Sequence, residues 1–141
     1  MTFTDVVVGV DGSDEAHAAL CWAAAEARRR GAALRVVVAV PPQRTADALR
    51  SYPPSLSASP GHLLVAAAVR EARGAEPGLP VTGSVEIGPP AEVLVEAGRR
   101  AALVVVGNRD HDEPPRLRVG SVCQRVATRA AASVVVVRGD G

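Results

Sequence analysis

Five short runs of apolar, mostly β-branched residues alternate with longer alanine-rich segments of helical period, and this alternation restricts the fold more than any other feature. The runs are Val6 to Val10, Leu34 to Val40, Val81 to Ile87, Ala102 to Val106 and Ser133 to Val137. Between them lie Ser13 to about Arg30, Gly61 to Arg73, Pro90 to Arg100 and Gly120 to about Ala131, with small apolar residues recurring three and four positions apart. Strands separated by helices pair in parallel, because the helix carries the chain back to the starting edge of the sheet. The expected fold is therefore α/β, an open five-stranded parallel sheet with helices on both faces, in a single domain over residues 1–141.

Local signals agree with that division. Asp11-Gly12-Ser13 is a turn and helix-cap sequence, Asp14 and Glu15 follow at the helix start, and Arg28-Arg29-Arg30 precede Gly31 at its end. In the third helix Val93, Leu94 and Ala97 face inward and Glu92 and Glu96 face solvent. Residues 41 to about 60 break the pattern with five prolines among small polar residues, a long irregular segment of the kind that carries function. Val81 to Ile87 alternates and sits between Pro80 and Gly88, as a strand near an edge does. Only Phe3, Trp22 and Tyr52 are aromatic, so the core is built from valine, alanine and leucine.

Composition removes several functions. The net charge of +1 leaves no electrostatic footprint for nucleic acid or an anionic membrane. Every basic side chain is arginine, so a Walker-type phosphate loop and Schiff-base chemistry, both of which need lysine, are excluded. Cys21 and Cys123 lie in helical, apolar surroundings without metal-ligand spacing and read as buried, reduced thiols. No apolar run approaches the ~18 residues of a membrane span, and no signal region opens the chain, so a cytoplasmic location is expected.

The segment from Leu103 to Ser121 carries the chemistry. Leu103-Val104-Val105-Val106 ends at Gly107, a loop follows, and Gly120-Ser121 opens a helical segment. A strand, a loop and a helix start place free backbone N–H groups and the helix dipole where a phosphate can sit. Gly107 reads as a strand terminator in a positive-φ conformation, and Ser121 as a cap or first residue of its helix. The spacing resembles the nucleotide-binding signature of the universal stress protein family: glycine, two residues, glycine, nine residues, then glycine and Ser or Thr. Gly107 and Gly120-Ser121 match; Asp110 replaces the second glycine. Val8-Gly9-Val10-Asp11-Gly12-Ser13, Gly88-Pro89-Pro90-Ala91-Glu92-Val93-Leu94, and the closing Gly120 to Val126 with Ser133 to Arg138 are also similar to the family, in the same order.

The resemblance implies the adenine nucleotide alpha hydrolase-like fold, with strand order 3-2-1-4-5. It also implies ATP, or another adenine nucleotide, held as a regulatory ligand in stress response. Carried over by motif, the binding positions are Asp11, Val40, Gly107, Gly120 and Ser121; a phosphate is compatible with the acidic loop if Arg109, Arg116 and Arg118 point inward, or if Asp110 helps to hold Mg²⁺. Tyr52 would lie beside the adenine. In the loop, Asp110, Asp112 and Glu113 offset Arg109, Arg116 and Arg118, while Pro114 and Pro115 remove two N–H donors. These features keep a second reading open, a dimeric stress protein that has lost nucleotide binding and acts through protein partners. The three histidines are scattered, and no Ser-His-Asp or Cys-His spacing converges on the crevice, so no enzyme is expected beyond slow incidental ATP hydrolysis. The resemblance further implies a homodimer through Val134, Val135, Val136 and Val137, the last strand being an exposed edge.

Overall fold

The structure, a computed structural model, describes residues 3–42, 60–108 and 121–138. In chain order the described elements are β1 (Val6–Gly9), α1 (Asp14–Arg30), β2 (Leu34–Val40), α2 (Pro60–Ala75), β3 (Val81–Ile87), α3 (Pro90–Gly98), β4 (Leu103–Asn108), α4 (Ser121–Arg129) and β5 (Ser133–Arg138). The strands form one sheet in the order β3-β2-β1-β4-β5, with every neighbouring pair parallel. The expected fold class and strand order are both present. Among the described residues no helix is long and apolar enough to cross a membrane.

Residue parity divides the sheet into two faces. Val6, Val8, Leu34, Val36, Leu103 and Val105 turn to one side and pack beneath α1 and α2. Val7, Val37, Val104 and Val106 turn to the other, against Leu94 of α3 and Cys123 and Val126 of α4. The three inner strands are thus apolar at consecutive positions, as strands covered on both faces must be. Each fully buried valine contributes roughly 1.5–2 kcal/mol relative to exposure. No aromatic ring enters the described core; Phe3 and Trp22 are exposed.

Helix α1 sets the geometry around the site. Ala16, Ala19, Leu20, Ala23, Ala24 and Ala27 are its buried residues, a stripe of small side chains that lets the helix lie close on β1 and β4. Ser13 caps it, its hydroxyl accepting from the Ala16 N–H at 3.1 Å. Gly31, in the left-handed conformation at φ 66°, ends it. Cys21 and Trp22 fall on the opposite side of the helix from the alanine stripe. Cys21 is accordingly exposed, a correction to the expectation of two buried thiols; Cys123 is buried.

Candidate functional site

Strand β1 pairs with β4 only as far as Val8 and Val105, whereas β4 continues to Asn108 beside β5. On its other side β1 stays paired with β2 through Gly9 and Val37. The sheet therefore opens between the carboxyl ends of β1 and β4. Helices approach from opposite faces on the two sides of that opening, which makes it the switch point at which α/β sheets bind ligands. A cleft of about 440 Å³ occupies it.

Two helix starts border the cleft, and they are built differently. On the β1 side, the Asp11 Oδ1 accepts from both the Ser13 N–H at 3.0 Å and the Ser13 hydroxyl at 2.6 Å. Gly12 makes this turn at φ 86°, a conformation that side chains resist. Asp11 thus fixes Ser13, and Ser13 caps α1. On the β4 side, Ser121, Val122 and Cys123 bring the first turn of α4 to the cleft wall. First-turn N–H groups have no partner within their own helix, and the dipole adds positive potential there.

Gly107 lies between the two. Its φ is not positive, which corrects the strand-terminator reading. The requirement is close approach: a Cβ at this position would fall 2.5 Å from the Glu15 carbonyl carbon and 2.9 Å from the Ala16 nitrogen. Only glycine lets the first turn of α1 rest on the end of β4. The Gly107 carbonyl in turn accepts from the Cys123 thiol at 3.2 Å, which ties β4 to α4. Burial pushes the Cys123 thiol above the usual range, and the nearby Asp11 charge adds to the shift, so the thiol stays protonated and able to donate.

The structure brings Asp11, Gly107 and Ser121 to one cleft. Val40 does not line it, but its neighbours Ala39 and Pro41 do. The Val40 carbonyl accepts from the Gly88 N–H at 2.9 Å, and its side chain packs with the α1–α2 core. Arg109, Asp110 and Gly120 lie outside the described residues, as do Tyr52 and the acidic and basic residues between 110 and 119. Sequence reasoning passed over Ser13 and Cys123 as cleft residues. The cap motif at Ser13 was visible, but its position on the cleft wall depends on how α1 lies on the sheet.

A second cleft of about 440 Å³ lies between α3 and the β2–β3 face, with Arg35, Glu86, Glu92 and Glu96 along it. Its three carboxylates repel anions. Its one cation is engaged: the Arg35 guanidinium donates to the Ala97 and Arg100 carbonyls at 3.0 and 3.2 Å. The Arg35 Nε lies 3.3 Å from the Asp5 carboxylate as an ion pair outside hydrogen-bond geometry. Phosphate chemistry fits the β1–β4 cleft and not this one.

An open five-stranded parallel sheet in the order β3-β2-β1-β4-β5, with helices on both faces and a cleft at its switch point, defines an α/β protein of the doubly wound class. More narrowly, the chain belongs to the universal stress protein family, whose profile matches residues 2–138. It is 35% identical over 141 residues to Universal stress protein Rv2005c of Mycobacterium tuberculosis, an alignment covering 96% of this chain and 48% of that protein. The chain thus spans about half the length of the curated relatives it matches. A universal stress protein crystallised with cAMP is 29% identical, with TM-score 0.74 over 99% of this chain and 100% of that one. A universal stress protein from Archaeoglobus fulgidus in complex with dAMP is 25% identical, with TM-score 0.66 over 97% and 99% of the two chains.

Proposed function

We propose that this chain binds an adenine nucleotide in the β1–β4 cleft, ATP with Mg²⁺ being the expected form, as a regulatory ligand in stress response. The observation that carries the reading is the convergence of Asp11, Gly107 and the first turn of α4 on one opening in the sheet. The cleft volume falls in the range of small-molecule sites. In this reading the Asp11 carboxylate accepts from a ribose hydroxyl, and Ser121 with the α4 first-turn N–H groups takes a phosphate. Ala39 and Pro41, flanking Val40, offer an apolar wall to the base; Gly120 extends the phosphate site by motif, and Arg109 is proposed to add its charge there. That two relatives are seen with cAMP and dAMP supports the same class of ligand here.

The ligand is a signal in this reading and not a substrate. Among the described residues the only titratable side chains on the cleft are Asp11 and Cys123, the first bound in a turn and the second held neutral by burial. That pair lacks a base free to activate water. Assembly is proposed through β5, which pairs with β4 on one side and forms an edge of the sheet on the other. Val134, Val135, Val136 and Val137 are half-buried along it, so a second copy would extend the sheet and cover them.

Calorimetric titration of nucleotide-stripped protein with ATP, with and without Mg²⁺, and with AMP and cAMP, tests the reading. Saturable micromolar binding to the unaltered chain is expected. No binding to any of them overturns it. Binding only after Asp110→Gly would mean that the acidic loop has disabled the site, and would favour a stress protein acting through protein partners. Light scattering on the same samples tests the dimer, which a monomer mass would refute.

A further inference from the structure

The nucleotide reading leaves unused an ordered group of three side chains on the outer surface of α1 and α2. His17 and Cys21 stand one helical turn apart on α1, and Glu71 reaches them from α2. The His17 Nδ1 lies 2.8 Å from the Glu71 Oε2. The His17 Nε2 lies 3.7 Å from the Cys21 Sγ, within reach of a sulfur donor. One tautomer satisfies both contacts: Nδ1–H donates to Glu71, which leaves the Nε2 lone pair to accept the Cys21 S–H. Carboxylate, imidazole and thiol then stand in the order that activates a nucleophile, with the carboxylate behind the ring and the sulfur in front of it.

Other roles fit less well. A metal ion needs its ligands to converge on one point, and here the carboxylate sits on the far side of the ring from the thiol. Among the described residues no group of three or more such side chains is placed to hold a metal. Nor do the three residues line either cleft. His17 and Glu71 keep more than half of their side-chain surface in solvent, at 57% and 54%, and Cys21 is exposed as well. A reactant therefore arrives from solution without a shaped pocket to select it, and must bring its own electrophilic centre to the thiolate.

We infer that Cys21, His17 and Glu71 form a thiol–disulfide exchange site, at which Cys21 is modified by the disulfide of a small thiol. His17 Nε2 takes the Cys21 proton while Glu71 orients the ring and faces its developing positive charge. The Cys21 thiolate attacks one sulfur of R–S–S–R, a Cys21–S–S–R bond forms, and the original S–S bond breaks with its electron pair leaving on RS⁻. The His17 imidazolium returns its proton to RS⁻. Cys21 is oxidised, one equivalent of the small thiol is released reduced, and the disulfide itself is the oxidant. The modified residue lies on α1, whose first turn rests on Gly107 at the cleft.

Oxidised glutathione is the probe. The native chain is incubated with it, the rate of mixed-disulfide formation is followed by intact mass, and the adduct is located by peptide mapping. One adduct is expected, at Cys21, with none at Cys123 while the chain is folded. His17→Gln is expected to slow the native rate about tenfold or more, since a thiol without a base is only a few per cent thiolate at about pH 7. Glu71→Gln, which keeps a hydrogen-bonding group but removes the charge, is expected to slow it by a smaller factor. Free imidazole in the buffer should speed exchange in His17→Gln and leave the unaltered chain little changed, which separates a role in the reaction from a merely altered helix contact. His17 is exposed, so its variant is expected to fold, and a melting curve checks this. A His17→Gln chain that folds and exchanges as fast as the unaltered one overturns the inference, as does an adduct that maps to Cys123 first. Neither outcome depends on nucleotide binding.

Discussion

The two helix starts on the β1–β4 cleft do opposite things with the same kind of residue. At α1, Ser13 is locked: its N–H and hydroxyl go to Asp11, and its oxygen accepts from Ala16. At α4, Ser121 is exposed on the cleft wall at the first position of the helix. The first serine holds the fold and the second faces whatever enters the cleft. Gly107 joins them, carrying the α1 backbone against its Cα and the Cys123 thiol on its carbonyl. A substitution on the α1 side should therefore be read in stability, one on the α4 side in ligand affinity, and one at Gly107 in both.

Gly107→Ala should give the largest effect. Within a strand, alanine for glycine ordinarily stabilises by roughly 0.5–1 kcal/mol. Here the added Cβ would meet the Glu15 carbonyl and the Ala16 nitrogen, backbone atoms that cannot rotate away as a side chain can. Overpacking of this kind costs about 2–3 kcal/mol, so the sign of the usual effect reverses. Urea denaturation measures it. A more stable Gly107→Ala protein would mean that α1 does not rest on β4 as described.

The two serines give the next contrast. Ser13→Ala removes a side-chain cap and frees Asp11, for a loss of about 1 kcal/mol of stability. Ser121→Ala should leave stability within about 0.5 kcal/mol, as exposed substitutions do. It should instead weaken nucleotide affinity about fivefold, the equivalent of one hydrogen bond of about 1 kcal/mol. Melting curves and calorimetry on the two variants separate these outcomes. Equal stability losses in both would erase the distinction between a serine that caps its helix and one that faces the cleft.

The elements were legible in the sequence because local signals are dense: apolar runs of strand length, alanines at helical period, and Asp11-Gly12-Ser13 at a helix start. The strand order rested on family resemblance, and the structure agrees with it. What escaped depends on contacts between distant parts of the chain. Glycine at 107 is demanded by a backbone more than ninety positions earlier, so its local sequence could only offer the wrong reason, a positive φ. The Cys21 error was avoidable. With Ala16, Ala19, Leu20, Ala23 and Ala27 facing inward, positions 21 and 22 fall on the outer side of the helix. The pairing of His17 with Glu71 was not, because nothing local fixes which face of α2 meets α1. In the candidate site, Gly107 and Ser121 were readable from their positions at a strand end and a helix start and Asp11 from family resemblance, whereas Cys123 was seen only as a core residue.

The closed character of α1 extends to its far end, and a third substitution sharpens the comparison there. Glu26 accepts from Arg29 at 3.1 Å and from Arg30 at 2.6 Å, one turn before Gly31. With a second Arg29 contact at 2.5 Å, these hydrogen bonds hold its carboxyl at about 2, well below the ordinary value of 4.5. A carboxyl lowered in the folded chain contributes stability while it is ionised in both states, and loses that contribution as pH falls from 4.5 toward 2. The Glu26→Gln variant should melt slightly below the unaltered protein at neutral pH, and the gap should close across that acid window. The difference will be small, since ion pairs near a surface contribute little and salt screens them. A gap that stays constant from pH 7 to about pH 2 would mean that Glu26 acts through packing and not through charge. In α4 the only basic residue of the last turn is Arg129, and no described carboxylate pairs with it. On the described residues the α1 side of the cleft is thus fixed by side chains at both ends of its helix, and the α4 side by the Cys123 thiol on Gly107 and by Cys123 and Val126 in the core.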